Sequence, residues 1–282
     1  MTATTSTAAD VDALSTMRSL LAAGGVAVLS GAGLSTESGI PDYRGPTGAL
    51  RRALPMTFQA FLGSPVARRR YWARSYLGWR QLSLATPNAG HSAVARWQHA
   101  GLLAGIITQN VDGLHQAAGA TEVVELHGNL AEAVCLRCGA RESRRVLDQR
   151  LTAANPDFAP RAAGINPDGD AALVDGQLET FRMVCCGECG SDLLKPDVVF
   201  FGESVPRERV ERSYAMVASA RALLVLGSSL TVMSGFRFVR RAASLGLPIG
   251  IVNQGATRGD PLASVQIDAA LGQVLPALYR SP

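Results

Sequence analysis

The chain reads as an α/β protein: a Rossmann-like parallel sheet domain with an inserted small cysteine module and a helical module. Three observations predict this. Five short apolar runs each end in glycine, serine or another polar residue. Stretches with helical periodicity separate them, and two Cys-x-x-Cys knuckles interrupt the alternation between the third and fourth runs.

Composition narrows the class. With 282 residues and 47% hydrophobic content, the chain has room for one large domain plus an inserted module. The formal charge of +4 is small, and the arginines that carry it are spread along the chain, with Lys195 the only lysine. The densest basic group, Arg68, Arg69, Arg70 and Arg74, reads as a solvated helix face, so no direct nucleic-acid binding is expected. No apolar stretch approaches the roughly 18 residues that would span a bilayer. Residues 1–10 lack a basic and an apolar region and read as a disordered tail, which points to a cytoplasmic protein. Its five cysteines are then reduced and available as metal ligands rather than disulfides.

Taken in order, Val11, Leu14, Met17, Leu20 and Leu21 recur at helical spacing, and Gly24 and Gly25 close that helix. Residues 26–29 are a buried-type strand running into Gly31, Ala32 and Gly33, where the main chain can turn tightly and bring N–H groups against a pyrophosphate. The full G-x-G-x-x-G fingerprint is absent, because Leu34, Ser35 and Thr36 follow Gly33. A long irregular segment with Asp42, Tyr43 and Arg44 comes next, as on a functional loop. Residues 57–84 read as helices broken near Gly63 and Pro65, rich in aromatics that form core. A further helix runs to His99, with His91 and His99 in structural roles. The strand at 102–108 ends in Gln109, Asn110, Val111 and Asp112, and the strand at 122–126 ends in His127. The strand at 222–226 ends in Gly227, Ser228 and Ser229, and that at 248–252 in Asn253, Gln254 and Gly255. Polar residues at one shared sheet edge predict one ligand cleft. Asp42 and Asp112 also have a simpler reading as turn caps.

The knuckles are Cys135–Cys138 and Cys186–Cys189, with 47 residues between them. Paired C-x-x-C knuckles suit a tetrahedral zinc ion, and four protein ligands leave no open position, so the metal would be structural. Cys185 is an alternative to Cys186. The expected division is a sheet domain from 11–46, 86–131 and 197–282, a helical module at 47–85 and a zinc module at 132–196.

On these residues the chain resembles the sirtuins, NAD-dependent protein deacylases. The resemblance runs from Gly31 to Leu275 and rests on seven stretches besides the knuckles: Gly31-Ala-Gly-Leu-Ser35, Gly39-Ile-Pro-Asp-Tyr-Arg44, Thr108-Gln-Asn-Val-Asp112, Glu125-Leu-His127-Gly128, Lys195-Pro-Asp-Val-Val-Phe-Phe-Gly-Glu203, Gly227-Ser-Ser229 and Val252-Asn253. Arg70-Tyr-Trp-Ala-Arg74, residues 164–170 and the long insertion between the knuckles are similar to the class II branch. The resemblance implies that Gly31, Ala32, Gly33, Thr36, Asp42, Tyr43 and Arg44 serve NAD near its pyrophosphate. Gln109, Asn110, Val111 and Asp112 would then shape the nicotinamide end, while Gly227, Ser228, Ser229, Asn253, Gln254, Gly255 and Leu271 hold the adenosine half. It makes His127 the base, with Asn110 and Asp112 in catalysis, and Val198, Val199, Phe200, Phe201 and Gly202 a strand edge for an acylated-lysine substrate. The acyl group would pass to ADP-ribose with release of nicotinamide. Mono-ADP-ribosylation and non-catalytic zinc and nucleotide binding are the alternatives. Tyr71 and Arg74, at i and i+3, share a helix face on which a phenol and a guanidinium could close on an acidic acyl group, although Arg74 also reads as a surface or packing residue.

Overall fold

The computed structural model describes residues 8–45, 55–158, 166, 169–171 and 178–279. The expected tail therefore lies mostly outside the described residues, as do parts of 47–85 and of 164–170. The first helix, α1 (Ala8–Ala22), already starts inside the stretch read as tail.

Six parallel strands form the main sheet: β1 (Val26–Ser30), β2 (Leu103–Thr108), β3 (Val123–Glu125), β7 (Ala222–Leu226), β8 (Ile249–Asn253) and β9 (Val265–Asp268). Their spatial order is β3-β2-β1-β7-β8-β9, so the chain winds outward from β1 to one edge and later returns to build the other. The order reverses between β1 and β7, and open α/β sheets bind ligands beyond the carboxyl ends at such a switch point. β1 and β7 are buried at every residue, which explains their unbroken apolar runs. On one face, α1, α4 (Ala89–His99) and α9 (Leu271–Leu278) pack with Met17, Leu21, Trp97 and Leu275 at the core. On the other, α7 (Arg207–Ser219) and α8 (Met233–Ser244) pack with Val217, Phe238 and Val239.

The helical and cysteine modules share a third core. Helices α2 (Phe58–Gly63) and α3 (Pro65–Leu82) break between Gly63 and Pro65, where Ser64 caps the second helix by accepting from the Ala67 N–H. Phe61, Tyr71, Trp72 and Tyr76 pack against Leu147, Phe181 and Leu194. The small sheet is antiparallel, in the order β5-β4-β6, from β4 (Gly128–Cys135), β5 (Arg141–Ser143) and β6 (Leu194–Val198), with α6 (Arg144–Ala154) beside it. It takes in residues 128–131 and 197–198, which the sequence division gave to the sheet domain.

Arg68 departs from the solvated-face reading. It is buried, donates to the carbonyls of Phe61 and Leu62, and pairs with Asp192 of the cysteine module at 2.5 Å. Arg144 is also buried, its guanidinium 4.8 Å from the Trp72 ring centre and bonded to both oxygens of Ser75. Lys195, 3% exposed, bonds the Val198 carbonyl and the Glu203 carboxylate. It is thus an internal strut rather than an accessible amine.

Candidate active site

Strand register sets the site. Ser30 at the end of β1 lies level with Thr108 of β2 and Leu226 of β7; Thr108 is level with Glu125, and Leu226 with Val252. The residues just past this line, Gly31, Gln109, Leu126 with His127, Gly227 and Asn253, therefore emerge on one front. All of them but the buried Leu126 line a cleft of about 1030 Å³.

Every residue that the sirtuin resemblance assigned to the cofactor lines this cleft, and so do His127 and the Val198–Gly202 stretch. The glycine turn is built by close backbone approach. Gly33 N–H donates to the Gly227 carbonyl at 2.8 Å, and a Cβ on Gly33 would lie 2.9 Å from the Gly227 Cα. Gly227 has φ +64, and a Cβ there would meet the Leu34 nitrogen at 2.4 Å. Both positions therefore require glycine.

Asn110 and Asp112 tie this turn to the β2 loop. Asn110 Nδ2 donates to the Gly31 carbonyl and to Ser35 Oγ; Asp112 Oδ2 accepts from Ser35 Oγ at 2.7 Å. Asp112 Oδ1 also accepts from the Leu114 N–H, so the turn-cap reading holds alongside the place in the cleft. Behind them, His91 and His115 stack edge to face at 5.3 Å, with His115 Nε2 2.8 Å from Ser30 Oγ. Burial lowers the pKa of His91 to about 4 and that of His115 to about 3.

His127 lies two residues past the end of β3. Its Nδ1 is 2.9 Å from the Gln109 carbonyl oxygen, which only accepts, so the neutral ring keeps its hydrogen on Nδ1 and its lone pair on Nε2. Burial takes its pKa from the ordinary 6.5 down to about 4, against the opposing Gln109 bond and helped by Arg209 and Arg237. The ring is accordingly neutral at neutral pH. The next residue, Gly128, has φ +88, and a Cβ there would collide with the Asp197 carbonyl oxygen at 1.8 Å. β4 and β6 thus close tightly beside the histidine, and Val199 N–H donates to the His127 carbonyl at 2.8 Å. The carbonyls of Phe201 and Gly202 accept from Phe58 N–H and Gln59 Nε2, so part of the expected peptide edge is already occupied by the helical module.

Tyr71 reaches the cleft, but Arg74 is not among the described residues lining it. The ring of Tyr71 packs against Phe61, Trp72 and Phe200, and Ile40, Met56 and Phe200 line the same cleft. Of this pair, only Tyr71 is among the described residues that line the cleft. Sequence reasoning also missed Ser35, Ser234 and Arg237. Ser35 stood inside the glycine-turn motif, whereas no spacing or motif marks Ser234.

The sulfur atoms of Cys135, Cys138, Cys186 and Cys189 all lie within 4.8 Å of one another, with Cys135–Cys189 at 3.6 Å and Cys138–Cys186 at 3.8 Å. Tetrahedral zinc with bonds of about 2.3 Å separates its sulfurs by about 3.8 Å, so this donor set fits the ion. Both knuckles close alike: Gly139 and Gly190, at φ +76 and +70, donate to the carbonyls of Cys135 and Cys186. Cys185 is exposed and outside the cluster.

The family model described as "Sir2 family" matches residues 31–234. An NAD-dependent protein deacetylase 1 of Streptomyces coelicolor is 63% identical over 255 residues, covering 90% of this chain and 85% of that protein. The protein of the same name from Corynebacterium efficiens is 49% identical, covering 92% of this chain and 95% of its own. Among solved structures, Sir2 with p53 peptide and NAD+ aligns at TM-score 0.72 and 29% identity, covering 92% of this chain and 93% of that one. Sir2 bound to acetylated peptide aligns at TM-score 0.73 and 27% identity, covering 93% and 95%. With more than half its length matched by the family model and close relatives spanning nearly all of it, the chain belongs to the Sir2 family, the sirtuins.

Proposed function

We infer that the cleft carries out NAD-dependent deacylation of acyl-lysine in proteins, with His127 as the general base and the acyl group leaving on ADP-ribose. The observation that carries this reading is the meeting of the glycine turn, a neutral histidine with an unprotonated Nε2, and the Val198–Gly202 stretch in one cleft at the sheet's switch point. NAD, when bound, would supply the ribosyl carbon at which the acyl oxygen displaces nicotinamide. The chain's own residues then have separable tasks. The turn brings the backbone at Ala32 against the pyrophosphate with Arg44 beside it, while the Gly31 and Gly33 N–H groups are held by the Leu226 and Gly227 carbonyls and fix its shape. Asn110 and Asp112, locked through Ser35, fix the floor on which the nicotinamide end is oriented, and Ser228, Asn253 and Leu271 hold the adenosine half. His127 Nε2 takes a proton from a ribose hydroxyl, and its depressed pKa keeps the base form populated at neutral pH.

The apolar lining near Tyr71, from Ile40, Met56 and Phe200, supports an uncharged acyl group such as acetyl. The Arg70–Arg74 motif and the 47-residue interval between knuckles support the class II branch. Among the described residues no helix is long and apolar enough to cross a membrane, and five cysteines without a disulfide support a reducing, cytoplasmic setting. The test is His127→Ala. Acyl transfer to ADP-ribose, read by product mass, is lost, while NAD binding by calorimetry and nicotinamide exchange persist. Near-full deacylation by the variant would overturn the assignment of the base.

A further inference from the structure

Both ring nitrogens of His127 are engaged. Gln109 takes the Nδ1 hydrogen, and Ser234 Oγ lies 2.8 Å from Nε2, where it must donate to the lone pair of the neutral ring. We propose that Ser234 is a positioning residue for His127, its hydroxyl fixing the tautomer and aim of the ring that acts on substrate. The inference rests on the reading of His127 as the base.

Three features support it. Ser234 stands in the first turn of α8, and it lines the cleft with His127. Its neighbour Gly235 packs directly on the other clamp: a Cβ there would sit 2.4 Å from Gln109 Oε1, and Gln109 Nε2 is itself held by Ser228 Oγ at 2.8 Å. One helix turn thus braces both residues that bond the ring. Finally, Nε2 has a single lone pair, so Ser234 aligns the ring before substrate and gives way when the ribose hydroxyl donates there; because a hydroxyl also accepts, it can then turn to bond the new N–H. A side chain that could only donate would be repelled at that moment. The cationic Arg237, three residues further along the helix, also lines the cleft and cannot substitute for it.

If Ser234 acts through Nε2, its loss weakens only the steps that use His127. Ser234→Ala is expected to lower deacylation on the order of tenfold, with nicotinamide exchange unchanged and Ser234→Thr, which keeps the hydroxyl, restoring most of the rate. On the His127→Ala background Ser234→Ala has no further effect on residual deacylation, since the pair acts as a unit. Thermal melting of each variant checks that it is folded. A parallel fall in exchange and deacylation, an effect that persists without His127, or a Thr variant as poor as the Ala variant would each overturn the proposal. Retained deacylation in His127→Ala alone would sink the reading of the base, an outcome distinct from any of these.

Discussion

Two buried histidines, His91 and His115, and the half-buried His127 tie stability to pH, and His115 gives the sharpest test. It is 1% exposed, and among the described residues its Nδ1 has no hydrogen-bond partner, while burial and the neighbouring His91 hold its pKa near 3. The folded-state pKa is depressed below the unfolded value of 6.5, so the stability it represents is present above pH 6.5 and is lost as pH falls towards 3. Lowering pH from 7.5 to 5.5 keeps the folded ring neutral while the unfolded ring binds a proton. Integrated over that window, one such group costs about 1.4 kcal/mol. His91 and His127, each held near 4, add similar amounts, for a total of about 4 kcal/mol out of the 5–15 typical of a domain. Urea unfolding at both pH values, read as midpoint and slope, measures the loss. His115→Gln should reduce the pH dependence by about one third, that is by about 1.4 kcal/mol, whatever its absolute stability. Protonation of thiolates and of Glu125 is common to both proteins and cancels in the comparison. An unchanged pH dependence in His115→Gln would refute the claim that this ring is buried neutral.

Two further outcomes concern the cysteine module and the acyl pocket. Cys138→Ser leaves three thiolates for a tetrahedral ion. Zinc content should fall from one per chain and folded protein and deacylation should fall with it, because binding of a structural metal contributes to folding; a metal-free, folded and fully active variant would contradict this. Arg74→Met should leave the ratio of acetyl to succinyl activity within about twofold, as its side chain is not among those lining the cleft, and a selective loss on succinyl peptide would restore the acidic grip.

The sheet was legible because strands covered on both faces are written as plain apolar runs, and four of the six follow that rule, the short edge strand β3 being marked by Val123 and Val124 alone. β9 escaped because Val-Gln-Ile-Asp at a sheet edge alternates half-buried and exposed positions, and a four-residue alternation resembles a loop. The knuckles were legible from spacing alone. The small sheet was not: β4 pairs with β6 across more than 50 residues, and nothing local announces that Val134 meets Lys195. Arg68 misled for the same reason, since its partner Asp192 lies 124 positions away and a local run of arginines looks solvated. His127 was placed correctly in the strand order, but its basicity depends on burial and on Arg209 and Arg237, which only the assembled fold supplies.

That dependence explains why a metal site remote from the chemistry should matter to it. β4 leaves the cleft immediately after His127 and ends at Cys135; β6 starts five residues after Cys189 and returns to the cleft at Val198. The cysteine cluster thus sits at the far ends of two strands whose near ends are the proposed base and the proposed substrate edge. At the near end the contact is tight, with Gly128 against the Asp197 carbonyl and Val199 bonded to His127. Lys195 extends the grip by bonding both Val198 and Glu203, while Glu203 also accepts from the Phe200 N–H, so the turn leaving β6 is held by one buried ion pair. A loosened cluster would let β4 and β6 slide. Because side chains alternate along a strand, a shift of one residue would carry the flanking histidine and the 199–202 segment out of the cleft together. A metal held by the four cysteines would therefore act on the proposed base through register rather than contact.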